Sequence, residues 1–270
     1  RMLGDELYAF GSATVERFAV TGNSAVPFQR IGGVALNRGI KSRDSLSGLD
    51  NTLFFVGEDG IVYRLTEGPP ARISDHGIEE RIRASSTVRS YSATWEGHAF
   101  YVMGLETETL VYDVAGGWAQ WEYDGGAFPS LGLSDGERTF VAGAKIWTLA
   151  DQVFDDISTP VSRVFTAVLP AKGPVPVECV EVALSPGTTP LGSEPAVLWM
   201  RWSDDQARTW TDPREATTGF GGDYRKRVRY RRLGMADAPG RIFEFEMTDP
   251  IHIRFSQVVM NPENGGRGRG

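Results

Sequence analysis

Leu53-Phe54-Phe55-Val56-Gly57-Glu58-Asp59-Gly60-Ile61-Val62-Tyr63-Arg64-Leu65 reads as two short strands joined by a tight turn. Aromatic and β-branched residues fill both arms, which suits a pleated, packed surface. Asp59-Gly60 is a favoured two-residue hairpin dipeptide, and Asp135-Gly136 further along is another. The same shape occurs three more times in the first 150 residues. Leu7-Tyr8-Ala9-Phe10-Gly11 precedes Thr14-Val15-Glu16-Arg17-Phe18. Ala99-Phe100-Tyr101-Val102-Met103-Gly104 precedes Thr109-Leu110-Val111-Tyr112-Asp113. Thr139-Phe140-Val141-Ala142-Gly143 precedes Lys145-Ile146-Trp147-Thr148-Leu149.

The glycines that close the first arms are Gly11, Gly57, Gly104 and Gly143, spaced by 46, 47 and 39 residues. Short strands repeating at that period are the signature of propeller blades. A lone hairpin has one apolar face that it cannot bury, so neighbouring units must stack. A series of unrelated hairpins in a sandwich is the plainer reading of the same pattern. Four units could close a small propeller, or be the later part of a larger ring whose first blades are absent. Gly116-Gly117-Trp118-Ala119-Gln120-Trp121 begins a further strand. One helix is expected over residues 77–83, capped by Ser74 or Asp75, with Ile78 and Ile82 on one face and a Glu79–Arg83 pair.

Near Asp155-Asp156-Ile157-Ser158-Thr159-Pro160 the repeat stops, and a Pro- and Gly-rich stretch follows. Six candidate strands, at 161–169, 177–184, 197–202, 225–233, 242–248 and 251–260, mostly alternate apolar and polar with period two. The fold class is therefore all-β: propeller-like hairpin repeats over residues 1–157, an antiparallel β-sandwich-like domain over residues 158–262, and a disordered tail at 263–270. The Arg-Gly tail has only two arginines and is a weak nucleic-acid element.

Bulk composition agrees with a packed chain: 270 residues, 41% hydrophobic, 23% charged, with 32 Gly and 15 Pro for many turns. The formal net charge of −7 gives no global attraction to nucleic acid. One cysteine, Cys179, excludes an internal disulfide and a multi-cysteine metal site, and its Val-Glu-Cys-Val-Glu-Val setting is that of a strand thiol. No apolar run is long enough to span a bilayer as a helix, and no leader peptide is read at the start, which is Arg1.

Few motifs carry chemistry. Ser203-Asp204-Asp205-Gln206-Ala207-Arg208-Thr209-Trp210 fits the Asp-box pattern Ser-x-Asp-x-Gly-x-Thr-Trp, with Ala207 in place of Gly. Ser203, Asp205 and Trp210 are thus structural turn residues. Sialidase-like propellers use several copies of this box, and here there is one. Tyr224-Arg225-Lys226-Arg227-Val228-Arg229-Tyr230-Arg231-Arg232 places Arg225, Arg227, Arg229 and Arg231 on one side of a strand. Pairing with Ile242-Phe243-Glu244-Phe245-Glu246-Met247 would set Arg231 opposite Glu244 and Arg229 opposite Glu246. Arg225 and Arg227 would then be left over as candidates for contact with a partner or DNA. His76, His98 and His252 are far apart and have no metal-ligand spacing. Gly219-Phe220-Gly221-Gly222 lacks the following Lys-Ser/Thr of a phosphate loop. No catalytic, cofactor-binding or metal residue is assigned, and no cofactor is expected.

Several segments resemble, in order, the packaged-DNA stabilisation (tail hub or nozzle) proteins of short-tailed bacteriophages. They include residues 7–22, Pro27-Phe28-Gln29-Arg30-Ile31, Phe54-Phe55-Val56-Gly57, Val62-Tyr63-Arg64 and Arg72-Ile73-Ser74. Gly97-His98-Ala99-Phe100-Tyr101 and Thr109-Leu110-Val111-Tyr112-Asp113 continue the series. Met200-Arg201-Trp202-Ser203-Asp204-Asp205, Arg208-Thr209-Trp210, Arg227-Val228-Arg229-Tyr230-Arg231-Arg232-Leu233-Gly234, Arg241-Ile242-Phe243-Glu244 and Thr248-Asp249-Pro250 carry the strongest part. Members of that family extend further at the N-terminus, so the chain resembles the C-terminal part of one. The resemblance implies a structural virion protein and not an enzyme. It implies a homo-oligomeric ring, a hexamer, below the portal and adaptor, assembled in the host cytoplasm. Packaged DNA would pass through without sequence-specific contact and be retained until ejection. Two other classes compete: a β-propeller glycosidase, suggested by the Asp-box-like segment, and a host-glycan-binding module, suggested by the tryptophans.

Overall fold

The computed structural model describes the chain except residues 50, 67, 124–125, 135–138, 144, 151–152, 154, 157–158, 187–194, 221–222, 224–226, 252 and 262–270. It forms two compact units, residues 1–151 and residues 152–270.

The first unit is four antiparallel meanders, in each of which strand order follows chain order. The first sheet is Met2–Leu3, Glu6–Phe10, Val15–Val20 and Phe28–Leu36. The second is Ser47–Leu49, Thr52–Val56, Val62–Leu65 and Ala71–Arg72. The third is Arg89–Trp95, His98–Gly104, Thr109–Asp113 and Gly117–Tyr123, extended by Gly126–Ala127. The fourth is Leu131–Ser134, Thr139–Ala142 and Ile146–Thr148. The four hairpins expected from sequence are the second and third strands of each sheet.

The Asp59-Gly60 turn is one residue longer than its dipeptide suggests. The Gly57 amide donates to the Ile61 carbonyl at 2.8 Å, and the Gly60 amide donates to the Gly57 carbonyl at 2.9 Å. The loop is thus Glu58-Asp59-Gly60, with Gly60 at φ +78°, where an L side chain is strained. Asp59 stays on the turn because its carboxylate accepts from the Ile61 amide and the Tyr63 hydroxyl. Asp135-Gly136 lies outside the described residues.

Alternate faces of each strand stack the sheets in order. Leu53, Phe55, Tyr63 and Leu65 pack on Leu3, Tyr8 and Val15 of the first sheet. Phe54, Val56 and Val62 pack on Tyr101, Met103 and Leu110 of the third, with Ile78 and Ile82 of the helix. Tyr91, Ala93, Val102 and Val111 pack on Val141 of the fourth. The second sheet is therefore covered on both faces, which is why Leu53-Phe54-Phe55-Val56 is an unbroken apolar run and not an alternating one. Each fully buried Phe contributes roughly 1.5–3 kcal/mol. Close approach demands glycine at two of the closing positions: a Cβ on Gly104 would sit 2.2 Å from the Ser130 Cβ, and one on Gly57 would sit 2.5 Å from Asp59 Oδ1.

The helix runs His76–Ala84 between the second and third sheets. Asp75 caps it by accepting from the Ile78 amide at 2.9 Å. Glu79 is buried and meets more than the expected Arg83. Its Oε1 accepts from Arg72 Nε at 2.8 Å and from the Ser74 hydroxyl at 2.9 Å, while Arg83 stands at 3.5 Å from Oε2. The carboxylate thereby ties the helix to the edge of the second sheet.

Among the described residues, the second unit has two facing sheets that share its core, and two small two-stranded sheets, Asp155–Asp156 with Thr159–Pro160 and Val175–Pro176 with Met235–Ala236. Of the facing sheets, one has the order Arg163–Pro170, Gly240–Met247, Ala196–Ser203, Arg214–Gly219. The other has Val228–Arg231, Cys179–Pro186, Ile253–Met260. Their inner faces share one core that includes Val180, Val182, Leu198, Met200, Tyr230, Phe243, Phe245 and Met247. Strand Arg214–Gly219 is absent from the sequence reading: Arg-Glu-Ala-Thr-Thr-Gly is polar and short, and only its pairing with Ala196–Ser203 makes it a strand.

The expected register between the arginine strand and Gly240–Met247 is wrong. Val228–Arg231 lies in the other sheet and pairs with Cys179–Pro186, setting Arg229 opposite Glu181, Tyr230 opposite Val180 and Val228 opposite Val182. Glu244 instead faces Arg201, and Glu246 faces Trp199. The physical reason is topological. Charge alternation chooses which face a side chain takes, and two strands offered the same alternation. The tail at 263–270 lies outside the described residues.

Candidate functional site

The polar side chains that sequence reading singles out gather in the second unit. Ser203 ends a strand whose inward residues are Leu198, Met200 and Trp202. The chain then turns back into Arg214–Gly219. Asp205 organises the turn: Oδ1 accepts from the Arg208 and Thr209 amides at 3.0 and 2.8 Å and from the Ser203 hydroxyl at 2.7 Å. Oδ2 accepts from the Thr209 hydroxyl at 2.7 Å. The hydrogen bonds from Thr209 and Ser203 hold this carboxyl well below the usual carboxylate range. The Ser203 hydroxyl oxygen also accepts from the Ala207 amide at 2.9 Å. Gln206 and Ala207 both take positive φ, at 61° and 65°, so the turn keeps the backbone of the motif although Ala replaces Gly. Trp210 lies under the Arg201 guanidinium, 4.9 Å from its ring centre.

A carboxylate fixed by that many donors is an anchor. A general acid needs a carboxyl near neutral pH that can release its proton, and Asp205 is held in the opposite direction.

Beside the turn sits Arg241, which sequence reading assigned no role. Its side chain is 2% exposed. Nε and Nη2 donate to Asp204 Oδ1 and Oδ2 at 2.7 and 3.0 Å. Nη1 donates to the Leu233 carbonyl at 2.6 Å, and Nη2 to the Met235 carbonyl at 2.8 Å. The guanidinium also stacks on Trp202 at 5.2 Å. The fork geometry of arginine suits this task and an ammonium would not. The signal was present in the sequence. Arg241 is in phase with Phe243, Phe245 and Met247, the inward set of its strand, so it had to point into the protein.

The arginine row meets Glu181. Arg227 Nη1 donates to Oε1 and Arg229 Nε to Oε2, each at 2.7 Å. Burial alone would raise the Glu181 pKa. The bonds from Arg229 and Arg227 outweigh it and hold the carboxyl below the ordinary value. Arg227 is therefore committed to Glu181 where the sequence reading left it over, and its side chain remains about half exposed. Arg225 lies outside the described residues, as does His252. Among the described residues no group of three or more His, Cys, Asp and Glu could hold a metal ion. Nor is any described helix long and apolar enough to cross a membrane. His98 Nδ1 is 2.8 Å from Asp113 Oδ2, and His76 is exposed at the helix start.

Among the described residues, the side-chain clusters around Asp205, Arg241 and Glu181 tie strands and turns together. No curated protein matches the chain. Among solved structures, it is similar to a glycoside hydrolase family 43 arabinoxylan arabinofuranohydrolase from Bacillus subtilis in complex with cellotetraose. The identity is 11% and the TM-score 0.25, over 96% of this chain and 66% of that one, a likeness too slight to bear on activity. The family described as bacteriophage P22 Gp10, beta-propeller matches residues 1–151, and bacteriophage P22 Gp10, beta-sandwich matches residues 162–263. With both domains matched in order along a mostly β chain, this protein belongs to the bacteriophage P22 Gp10 family of phage stabilisation proteins.

Proposed function

We propose that this chain is a subunit of a homo-oligomeric ring, a hexamer, in a short phage tail. The ring sits below the portal and its adaptor, holds the packaged DNA and forms the channel through which the DNA leaves. The observation that supports this most is the ordered match of both domains to a phage stabilisation family. The physical character of the molecule agrees with it. Stacked sheets with buried faces make a stiff body that bears load by shape. The chain carries 35 acidic against 28 basic residues, so it has no overall attraction for phosphate and DNA would slide past. The glycosidase alternative rests on the Asp-box-like turn, whose acid is held by Ser203, Arg208 and Thr209.

The test is retention of DNA. Particles assembled without this chain should package DNA and then lose it, and supplying the chain should restore retention. Particles that keep their DNA in its absence would refute the proposal.

A further inference from the structure

The two outward sides of the sandwich carry opposite charge. On the four-stranded sheet, Val164, Glu246, Trp199 and Glu215 stand in one cross-strand row. Thr166, Glu244 and Arg201 form the next. These residues alternate with the core-facing Phe165, Phe245 and Met200, so they point away from the core. Trp199 is 36% exposed and Val164 55%. Three acids share this side with one base, and that base, Arg201, is already paired with Glu244. Trp199 is left between its two cross-strand partners, Glu215 and Glu246. Glu246 accepts from the Ser162 hydroxyl at 2.7 Å. Neither glutamate has an ion pair with another described residue. An exposed indole flanked by two carboxylates suits a guanidinium, which gains the ring face and a charge-assisted hydrogen bond together.

The three-stranded sheet carries the opposite set. Its outward residues include Arg229 opposite Glu181, Arg231 opposite Cys179 and Arg254 opposite Ser185. With Arg227, four arginines meet one acid on this side, and that acid, Glu181, takes Arg227 and Arg229. Arg231 and Arg254 are exposed and have no ion pair with another described residue. We infer that the acidic side of one copy's sandwich seats on the arginine side of the next copy's, with an arginine of that side over Trp199. A head-to-tail contact needs two different, complementary patches on every subunit, and this one domain carries both. Complementary charge of this kind fixes register and rejects wrong partners. Binding of DNA phosphates would account for the arginine side and leave the Trp199 side without a role. The inference rests on the ring reading and names a contact between its subunits, with both patches in the second unit.

Tails assembled with variants of the full chain test it. Cys179, the one cysteine of the sequence, lies on the arginine side and is half-buried. Val164→Cys adds a second thiol in the Trp199 row and leaves every charge in place. A short bis-maleimide reaching about 10 Å spans two touching surfaces but not one sandwich, whose sheets alone stand that far apart. Denaturing gels of Val164→Cys tails should show a ladder of joined chains, and adding Cys179→Ser should abolish it. Charge reversal reads the same contact. Glu215→Lys/Glu246→Lys and Arg231→Glu/Arg254→Glu should each fold, by circular dichroism and thermal melting. Each alone should enter tails at least about tenfold less well. Supplied together they should recover, because each reversed side then meets its complement. Rings that give no ladder, or reversed variants that enter tails as the wild type does, would overturn this contact and leave the ring reading standing. Wild-type chains found in tails only as single copies would overturn both. An Arg231→Glu/Arg254→Glu variant that assembles normally and loses its DNA would assign the arginine side to phosphates and overturn the contact.

Discussion

Glu181 and Arg229 face each other on neighbouring strands of the sandwich, with Nε to Oε2 at 2.7 Å. Arg227 takes the other carboxylate oxygen, so one nearly buried acid holds two cations at the edge of the core. Arg229→Ala should remove a hydrogen bond to a charged group and cost about 1.5–3 kcal/mol. Chemical denaturation of the second unit would read it. A double-mutant cycle should show coupling between Arg229 and Glu181, and simple additivity between Arg229 and Glu246.

Glu181 also sets a pH dependence. Its pKa is depressed in the folded chain, so the unfolded chain binds its proton more readily. The pairing contributes in full above about pH 5, where the carboxylate is charged in both states. Its contribution falls away as pH drops below the ordinary glutamate value and through the lower folded one. Stability of the second unit measured from pH 7 down to pH 3 should decline over this acidic range. Glu181→Gln should lower stability at pH 7 and flatten the decline.

Arg241 is the other buried cation. Arg241→Lys cannot reach Asp204, Leu233 and Met235 together, and Arg241→Ala leaves two carbonyls and a carboxylate without their donor. The alanine variant should cost about 1.5–3 kcal/mol, because hydrogen bonds from a charged donor are lost while Asp204 is half exposed, and the lysine variant should recover only part of that. Both are read by denaturant unfolding.

Gly104 and Gly143 separate packing from mere turn preference. Gly104→Ala drives a methyl into Ser130 and should cost about 1–3 kcal/mol in the first unit. For Gly143→Ala the nearest atom to the new Cβ is 3.9 Å away, so the change should be close to neutral. Thermal melting of the two variants should differ accordingly.

The first unit was largely legible in the sequence. A glycine follows each apolar arm, tightly packed at Gly57 and Gly104, and the four hairpins so marked are the central strands of the four sheets. The unbroken run at Leu53–Val56 could have shown that the second sheet is covered on both sides. The second unit was legible in its strands and not in their partners. Val180-Glu181-Val182 and Phe243-Glu244-Phe245 offer the arginine strand the same alternation. Only the closing of two sheets over one core decides between them. The short strand Arg214–Gly219 has no apolar pattern to announce it. Arg241 is readable from its phase with Phe243 and Phe245, the inward set of its strand.

The central claim is tested most directly by electron cryomicroscopy of intact tails. The account expects copies of this chain arranged as a closed ring below the portal, propeller and sandwich domains both present, with DNA density on the axis. A tail without this chain, or a chain bound there as isolated single copies away from the axis, would contradict it.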